Sequence, residues 1–280
     1  MLLLLRFLTP SMLRLVLLVA AAAAPSPVRA VLPPLAPPLP TLANLHLPLA
    51  PPSATPGRLI VVRHGDTEWD RRCTFAGWAD PDLSKAGELQ VLAAARALRE
   101  SGYTFDVAYT SVLKRAVHTT WLLLQELDLI HLTVWKNWRL NERSYGAITG
   151  MSVEEAQAAY GWANVASWRR SFDSAPPTYD DSHPHNPARR RVYARWQDRN
   201  GEASPVMPPS GESLADCKAR LLPLWRDEIL PDLRAGKDVL VAAHGNTIRI
   251  LAQAIDSLSN EVTAALEIPA CIPLVYQFER

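Results

Sequence analysis

The chain has 280 residues, 48% of them hydrophobic and 20% charged, with a formal net charge of +1. That length buries a sizeable core, and so balanced a charge excludes the basic footprint of a nucleic-acid binder. The three cysteines, Cys73, Cys217 and Cys271, are odd in number and widely spaced, which suits neither a disulfide framework nor a zinc site.

No Asp or Glu occurs before Asp66. Met1–Leu18 is Leu-rich and carries Arg6 and Arg14; Leu15–Ala24 is an uncharged apolar run, followed by Val28-Arg29-Ala30, which resembles a signal-peptidase site. The apolar run is shorter than the ~20 residues of a membrane span, so a cleaved signal is expected rather than an anchor. Twelve of the 24 prolines lie in the first 56 residues, and residues 31–57 are expected to hold no regular structure. Residues 1–57 therefore read as a targeting leader and Pro-rich linker, disordered or cleaved. The expected address is the secretory route, leading to an organelle with a reducing interior such as a plastid; a cytoplasmic location is the alternative. Setting aside the three arginines of this leader leaves 26 basic and 28 acidic side chains, a body with no call for nucleic-acid or membrane partners.

Residues 58–280 are expected to form one domain. Leu59–Val62 reads as a buried parallel strand that ends in Arg63-His64-Gly65, where the glycine allows a tight turn. Thr67–Pro81 is a polar, aromatic loop. A helix follows to Glu100 with Ser84 as its N-cap, then a strand over Phe105–Thr110, then a helix from Val112 to about Asp128 capped by Ser111. Leu132–Trp135 is a third strand leading into Leu140-Asn141-Glu142-Arg143. Ser152 and Glu155 form a capping-box pattern for a helix to Tyr160. Residues 171–210 are rich in Pro, Asp, Arg and His and read as an insertion over the core, a lid. A helix over Glu212–Leu230, a strand over Val239–Ala243 ending in His244-Gly245-Asn246, a helix over Thr247–Ala254 and a strand over Leu274–Phe278 complete the body. This alternation predicts a three-layer α/β/α fold with a mostly parallel sheet covered on both faces.

Taken singly, a histidine after a strand is a turn residue, and an arginine or a Glu142-Arg143 pair is solvated surface. Two strands that both end in His-Gly change that, because parallel strands deliver both imidazoles to the ligand-binding edge of one sheet. One neutral imidazole can attack phosphorus while a second, protonated, stabilises the equatorial oxygens. Arginines such as Arg63 and Arg115 clamp a phosphoryl group, and Glu142 can exchange a proton with an alcohol oxygen. The His and carboxylate spacings match no metal motif.

These passages resemble the cofactor-dependent phosphoglycerate mutases of the histidine phosphatase superfamily. The resemblance runs from about Arg58 to Phe278 and is carried by Leu59–Trp69, Phe105–Thr120 (FDVAYTSVLKRAVHTT), Leu140–Gly150 (LNERSYGAITG), Trp168-Arg169-Arg170, Val239–Asn246 and Ile268–Phe278. It implies a phosphohistidine at His64, primed by 2,3-bisphosphoglycerate without a metal. It further implies that Arg63, Arg115 and His244 bind the phosphoryl group and that Glu142 donates and accepts the proton. Gly65, Thr67, Asp70, Gly77, Tyr145, Arg169, Arg170, Gly245 and Asn246 would hold a small phosphorylated three-carbon substrate, in a protein that pairs as a homodimer. Three positions depart from the family pattern: Asp70 replaces an Asn, Ala76 a Thr or Ser, and Val153 a substrate-binding Lys. Asp70 would repel phosphate unless Arg71 or Arg72 compensates. Arg189-Arg190-Arg191 offers a substitute for the lysine, or is merely solvated. Three functions follow: a mutase interconverting 3- and 2-phosphoglycerate, a phosphatase of bisphosphoglycerate or another small ester, and a quiet phosphometabolite-binding protein.

Overall fold

The computed structural model describes residues 28–31, 55–204 and 206–279. The expected signal segment and most of the Pro-rich linker lie outside the described residues. Within the expected leader, Val28–Val31 forms an edge strand, β1, that pairs in parallel with the last strand, so this part of the segment expected to lack structure extends the sheet.

The body supplies β2 (Leu59–Arg63), β3 (Val107–Thr110), β4 (Val134–Lys136), β5 (Val239–Ala243) and β6 (Leu274–Glu279), in the spatial order β1-β6-β2-β5-β3-β4. The pairs β2/β5, β5/β3 and β3/β4 are parallel, and only β6 runs antiparallel to β2. Alternate residues of β2, β3, β5 and β6 enter two separate cores. Ile60, Val62, Ala108, Leu240 and Val275 pack on α2 (Lys85–Glu100) and α3 (Lys114–Glu126) through Val91, Ala95, Leu98, Leu123 and Leu124. Leu59, Val61, Tyr109, Val239, Val241 and Tyr276 face the opposite layer, built by the helices of residues 214–265. The three-layer α/β/α architecture is therefore the one the strand-helix alternation predicted.

The short helix α1 (Glu68–Arg71) interrupts the stretch expected as loop. Thr67 caps it, accepting from the Asp70 amide while the Asp70 carboxylate accepts from the Thr67 amide. The remaining helices are α4 (Val153–Tyr160), α5 (Trp162–Arg170), α6 (Arg191–Ala194), α7 (Leu214–Leu224), α8 (Leu230–Arg234), α9 (Gly245–Asp256) and α10 (Asn260–Ala265). Capping boxes at Ser152/Glu155 and Ser213/Asp216 start α4 and α7. The single helix expected over Glu212–Leu230 is α7 followed by a π-turn at Trp225–Ile229; Pro223 lies just before the break, where it cannot donate to an α-helical ladder.

Residues 171–210 contain little regular structure, as expected, yet they are pinned. Phe172, Tyr179 and Tyr193 are buried, the Tyr193 ring packs on Trp78 at 4.9 Å, and Trp69 meets His185 edge-on at 5.2 Å. The insertion thus rests on the loops of residues 67–80 and 145–150. Of the triple arginine, Arg190 pairs with Asp80 at 2.8 Å and Arg189 bonds the Asp181 carbonyl. Val153 joins an apolar cluster with Phe75 and Ile148.

Candidate active site

Strands β2 and β5 are adjacent, parallel and in register, with Arg63 opposite Ala243. The His64 amide extends the ladder by donating to the Ala243 carbonyl at 3.0 Å. The next residue on each strand is a histidine, so the two imidazoles arrive side by side, ring centres 5.0 Å apart. Both are buried.

His64 Nδ1 lies 2.8 Å from the Gly65 carbonyl. A carbonyl only accepts, so Nδ1 carries the proton and Nε2 keeps its lone pair. Burial, and next the Arg115 guanidinium, push the His64 pKa down to about 3. The ring is therefore neutral and nucleophilic at neutral pH. Arg115 is buried; its Nε–H points at His64 Nε2, 3.3 Å away, while its terminal nitrogens donate to the carbonyls of Ala79 (3.0 Å) and Gly77 (2.9 Å). Gly77 thus contributes a carbonyl, in a turn with φ +48°.

His244 was expected to stay protonated. Burial and the nearby Arg115 instead hold its pKa well below the ordinary value, so without a bound anion both rings are neutral. Its Nε2 lies 2.7 Å from Ser111 Oγ. Ser111, expected as a helix cap, does not cap α3, whose N-cap is Leu113 with no side-chain bond.

Glu142 is buried beside the first turn of α9. Its Oε1 accepts from the Arg143 amide (2.7 Å) and the Asn246 amide (3.3 Å). A Cβ added to Gly245 would lie 3.8 Å from Oε2, which places the carboxylate next to the residue that follows His244. Asn246 donates to the Tyr145 hydroxyl at 3.1 Å. The chain around Glu142 is gripped by a buried ion pair that no sequence pattern announced. Arg220 meets Glu212 at 2.6 Å and donates to the carbonyls of Arg139, Asn141 and Glu142, while Glu212 accepts from the Ser144 amide at 2.7 Å. Arg249 also escaped notice; it stands one turn beyond Asn246 and donates to its side chain at 2.9 Å.

Several expected binding residues have other uses. Thr67 is buried and gives its hydroxyl to Asp70 at 2.6 Å. Asp70 is not balanced by Arg71 or Arg72: it pairs with Arg63 at 3.1 Å, and Arg71 pairs with Glu68. Arg63 also donates to the Ile268 carbonyl at 2.9 Å. The Gly65 amide is taken by Thr119 Oγ1 at 3.1 Å; a Cβ there would come within 2.5 Å of the Gly87 carbonyl. Arg169 and Arg170 end α5 in solvent, with Arg170 paired to Glu267 at 2.7 Å. Among the described residues no group of three or more His, Cys, Asp or Glu is placed to hold a metal.

A neutral histidine whose unprotonated Nε2 faces a buried guanidinium, with a second imidazole beside it and a carboxylate at a helix start, makes a site for phosphoryl transfer. The histidine phosphatase superfamily (branch 1) profile matches residues 59–190 and 181–279. A protein of Nitratidesulfovibrio vulgaris named 2,3-bisphosphoglycerate-dependent phosphoglycerate mutase is 46% identical over 222 residues, covering 79% of this chain and 86% of its own. Among solved structures, a mycobacterial glucosyl-3-phosphoglycerate phosphatase is 25% identical with a TM-score of 0.57, covering 78% of this chain and 92% of that one. The alpha-ribazole phosphatase of Shigella flexneri shares the fold at 18% identity, with a TM-score of 0.56 over 78% and 89% of the two chains. With its paired strand-end histidines and a profile match spanning nearly the whole body, the chain belongs to the histidine phosphatase superfamily.

Proposed function

We propose that this protein is a phosphoglycerate mutase that interconverts 3- and 2-phosphoglycerate through a phosphohistidine at His64. The observation that carries this reading is the juxtaposition of the His64 and His244 rings, with Arg115 against His64 Nε2 and Glu142 beside Gly245. The Nitratidesulfovibrio relative's name supports the substrate and the dependence on 2,3-bisphosphoglycerate. That compound supplies the phosphoryl group that loads His64. The buried cations and the unpartnered His244 Nδ1 fit so anionic a group.

His64 Nε2 attacks phosphorus, and the bond from phosphorus to the substrate oxygen breaks. The leaving alkoxide takes a proton from the Glu142 carboxyl; in the reverse transfer the Glu142 carboxylate removes the proton of the attacking hydroxyl. Arg115 and Arg63 neutralise charge on the equatorial oxygens. Tyr145, Asn246 and the α9 N-terminus hold the glycerate.

Hydrolysis is the competing outcome, and the Asp70–Arg63 pair and the apolar Val153 favour it, because the first draws a cation away from a bound bisphosphate and the second supplies none. Incubating the protein with 2,3-bisphosphoglycerate should add one phosphoryl group, lost in His64→Ala, and should convert 3- to 2-phosphoglycerate. Inorganic phosphate released without isomer would make the protein a phosphatase; ligand binding without a phosphohistidine would make it the quiet binder.

A further inference from the structure

His244 and Ser111 form a pair with two proton assignments, each leaving one buried proton unpaired until an anion binds, and only one of them turns that proton toward the anion. Ser111 Oγ lies 2.7 Å from His244 Nε2 and accepts from the Leu113 amide at 3.2 Å. Ser111 is fully buried. A neutral imidazole has one N–H and one bare nitrogen, and a hydroxyl has one proton to place. If Nε2 carried the proton, both of its neighbour's contacts would be donors, and the buried Ser111 hydroxyl proton would have no acceptor among the described residues. The other His244 nitrogen would then present a lone pair to an arriving phosphate. If the hydroxyl donates to Nε2, every proton between Ser111, Leu113 and Nε2 is used. His244 Nδ1, buried and without a hydrogen-bond partner, then carries the proton, and that N–H is the group an anion satisfies.

We infer that Ser111 is a positioning residue that holds His244 as the neutral Nδ1–H tautomer, and that this N–H donates to the phosphoryl group in transit. The inference rests on the phosphoryl-transfer reading of the site. It makes His244 a preorganised neutral donor, which costs no reorganisation during transfer. Ser111 directly follows β3, the strand beyond β5: Thr110 ends β3 and donates to the Ala242 carbonyl at 3.0 Å, which fixes Ser111 beside His244.

Long-range ¹H–¹⁵N correlation spectra of the histidine rings, recorded on full-length protein near pH 7, test the tautomer directly. His244 should show a protonated Nδ1 and an unprotonated Nε2; a protonated Nε2 overturns the inference. In Ser111→Ala the His244 pattern should shift toward the other tautomer. Single-turnover loading of His64 by 2,3-bisphosphoglycerate should fall about 10²-fold, with KM for 3-phosphoglycerate changed far less. Ser111→Thr, which restores a hydroxyl, should recover most of that loss. An unchanged loading rate in a folded Ser111→Ala protein would overturn the inference. Should that variant not fold, the wild-type spectrum alone decides. Absence of any phosphohistidine in the wild type would instead defeat the mutase reading, and the tautomer would still be read.

Discussion

Arg115 offers its Nε–H to His64 because its other nitrogens are already bound to the carbonyls of Gly77 and Ala79. A lysine ammonium cannot hold two carbonyls in a fork and still face the imidazole. Arg115→Lys should therefore slow His64 loading by about 10²–10³-fold, measurable by rapid quench. Asp70 presents the converse situation. Its Oδ1 engages Arg63 while Oδ2 accepts from the Thr67 amide and hydroxyl, so one carboxylate both caps α1 and ties up a phosphate-binding cation. Asp70→Asn should release Arg63 and tighten 2,3-bisphosphoglycerate binding about tenfold, as a charged hydrogen bond of about 1.5–3 kcal/mol permits. It should cost about 1 kcal/mol of stability through the weakened cap. Ligand titration and chemical denaturation of the same variant check both signs.

At the scale of elements, the site is produced by the in-register pairing of β2 and β5 and by what holds the turns behind them. The turn after β2 has almost no slack. A Cβ on Gly87, in the first turn of α2, would sit 2.0 Å from the Asp66 carbonyl. Gly87→Ala must therefore push the His64–Asp66 turn away from α2 and should cost at least 2 kcal/mol, together with much of the activity. Thermal unfolding and a loading assay would show both. The strands and the capping serines Ser84 and Ser152 were legible in the sequence because each depends on local chemistry, an apolar run or an oxygen at a fixed offset. Ser111 was misread for the same reason. A serine before a helical stretch carries the cap signature, and nothing local says that β5 brings a histidine to it. α5 and α10 were not foreseen; each is short and presents few buried residues, Val165 in one and Thr263 and Ala264 in the other.

The whole molecule carries its two site histidines in the uncharged form, and that sets how folding responds to acid. Both have folded pKa values depressed below the ordinary 6.5, His64 to about 3. Below pH 6.5 the unfolded chain takes up protons that the folded protein refuses. Stability is thus full above 6.5 and is lost as pH falls below it, toward 3 in the case of His64, by about 1.4 kcal/mol per histidine per pH unit. Urea denaturation at pH 7, 6 and 5 should show this slope, and His64→Gln together with His244→Gln should flatten it. Long-range organisation was only partly legible. The sheet, its layers and the meeting of the two histidines followed from strand ends, whereas the anchoring of residues 171–210 through Phe172, Tyr179 and Tyr193 left no periodic trace. The Arg220–Glu212 pair spans only eight positions, but its reason for being lies 68 to 81 residues away, at the chain around Glu142.

The guanidinium groups of this site lean on the main chain: Arg63 on Ile268, Arg115 on Gly77 and Ala79, Arg143 on Trp168, Arg220 on Arg139, Asn141 and Glu142. Peptide oxygens are the same whatever side chain they accompany. The surrounding segments are thereby free to drift in composition while these contacts persist, and the cationic cradle is reached through the bend of the backbone or through the two carboxylates, Asp70 and Glu212, that pair with Arg63 and Arg220.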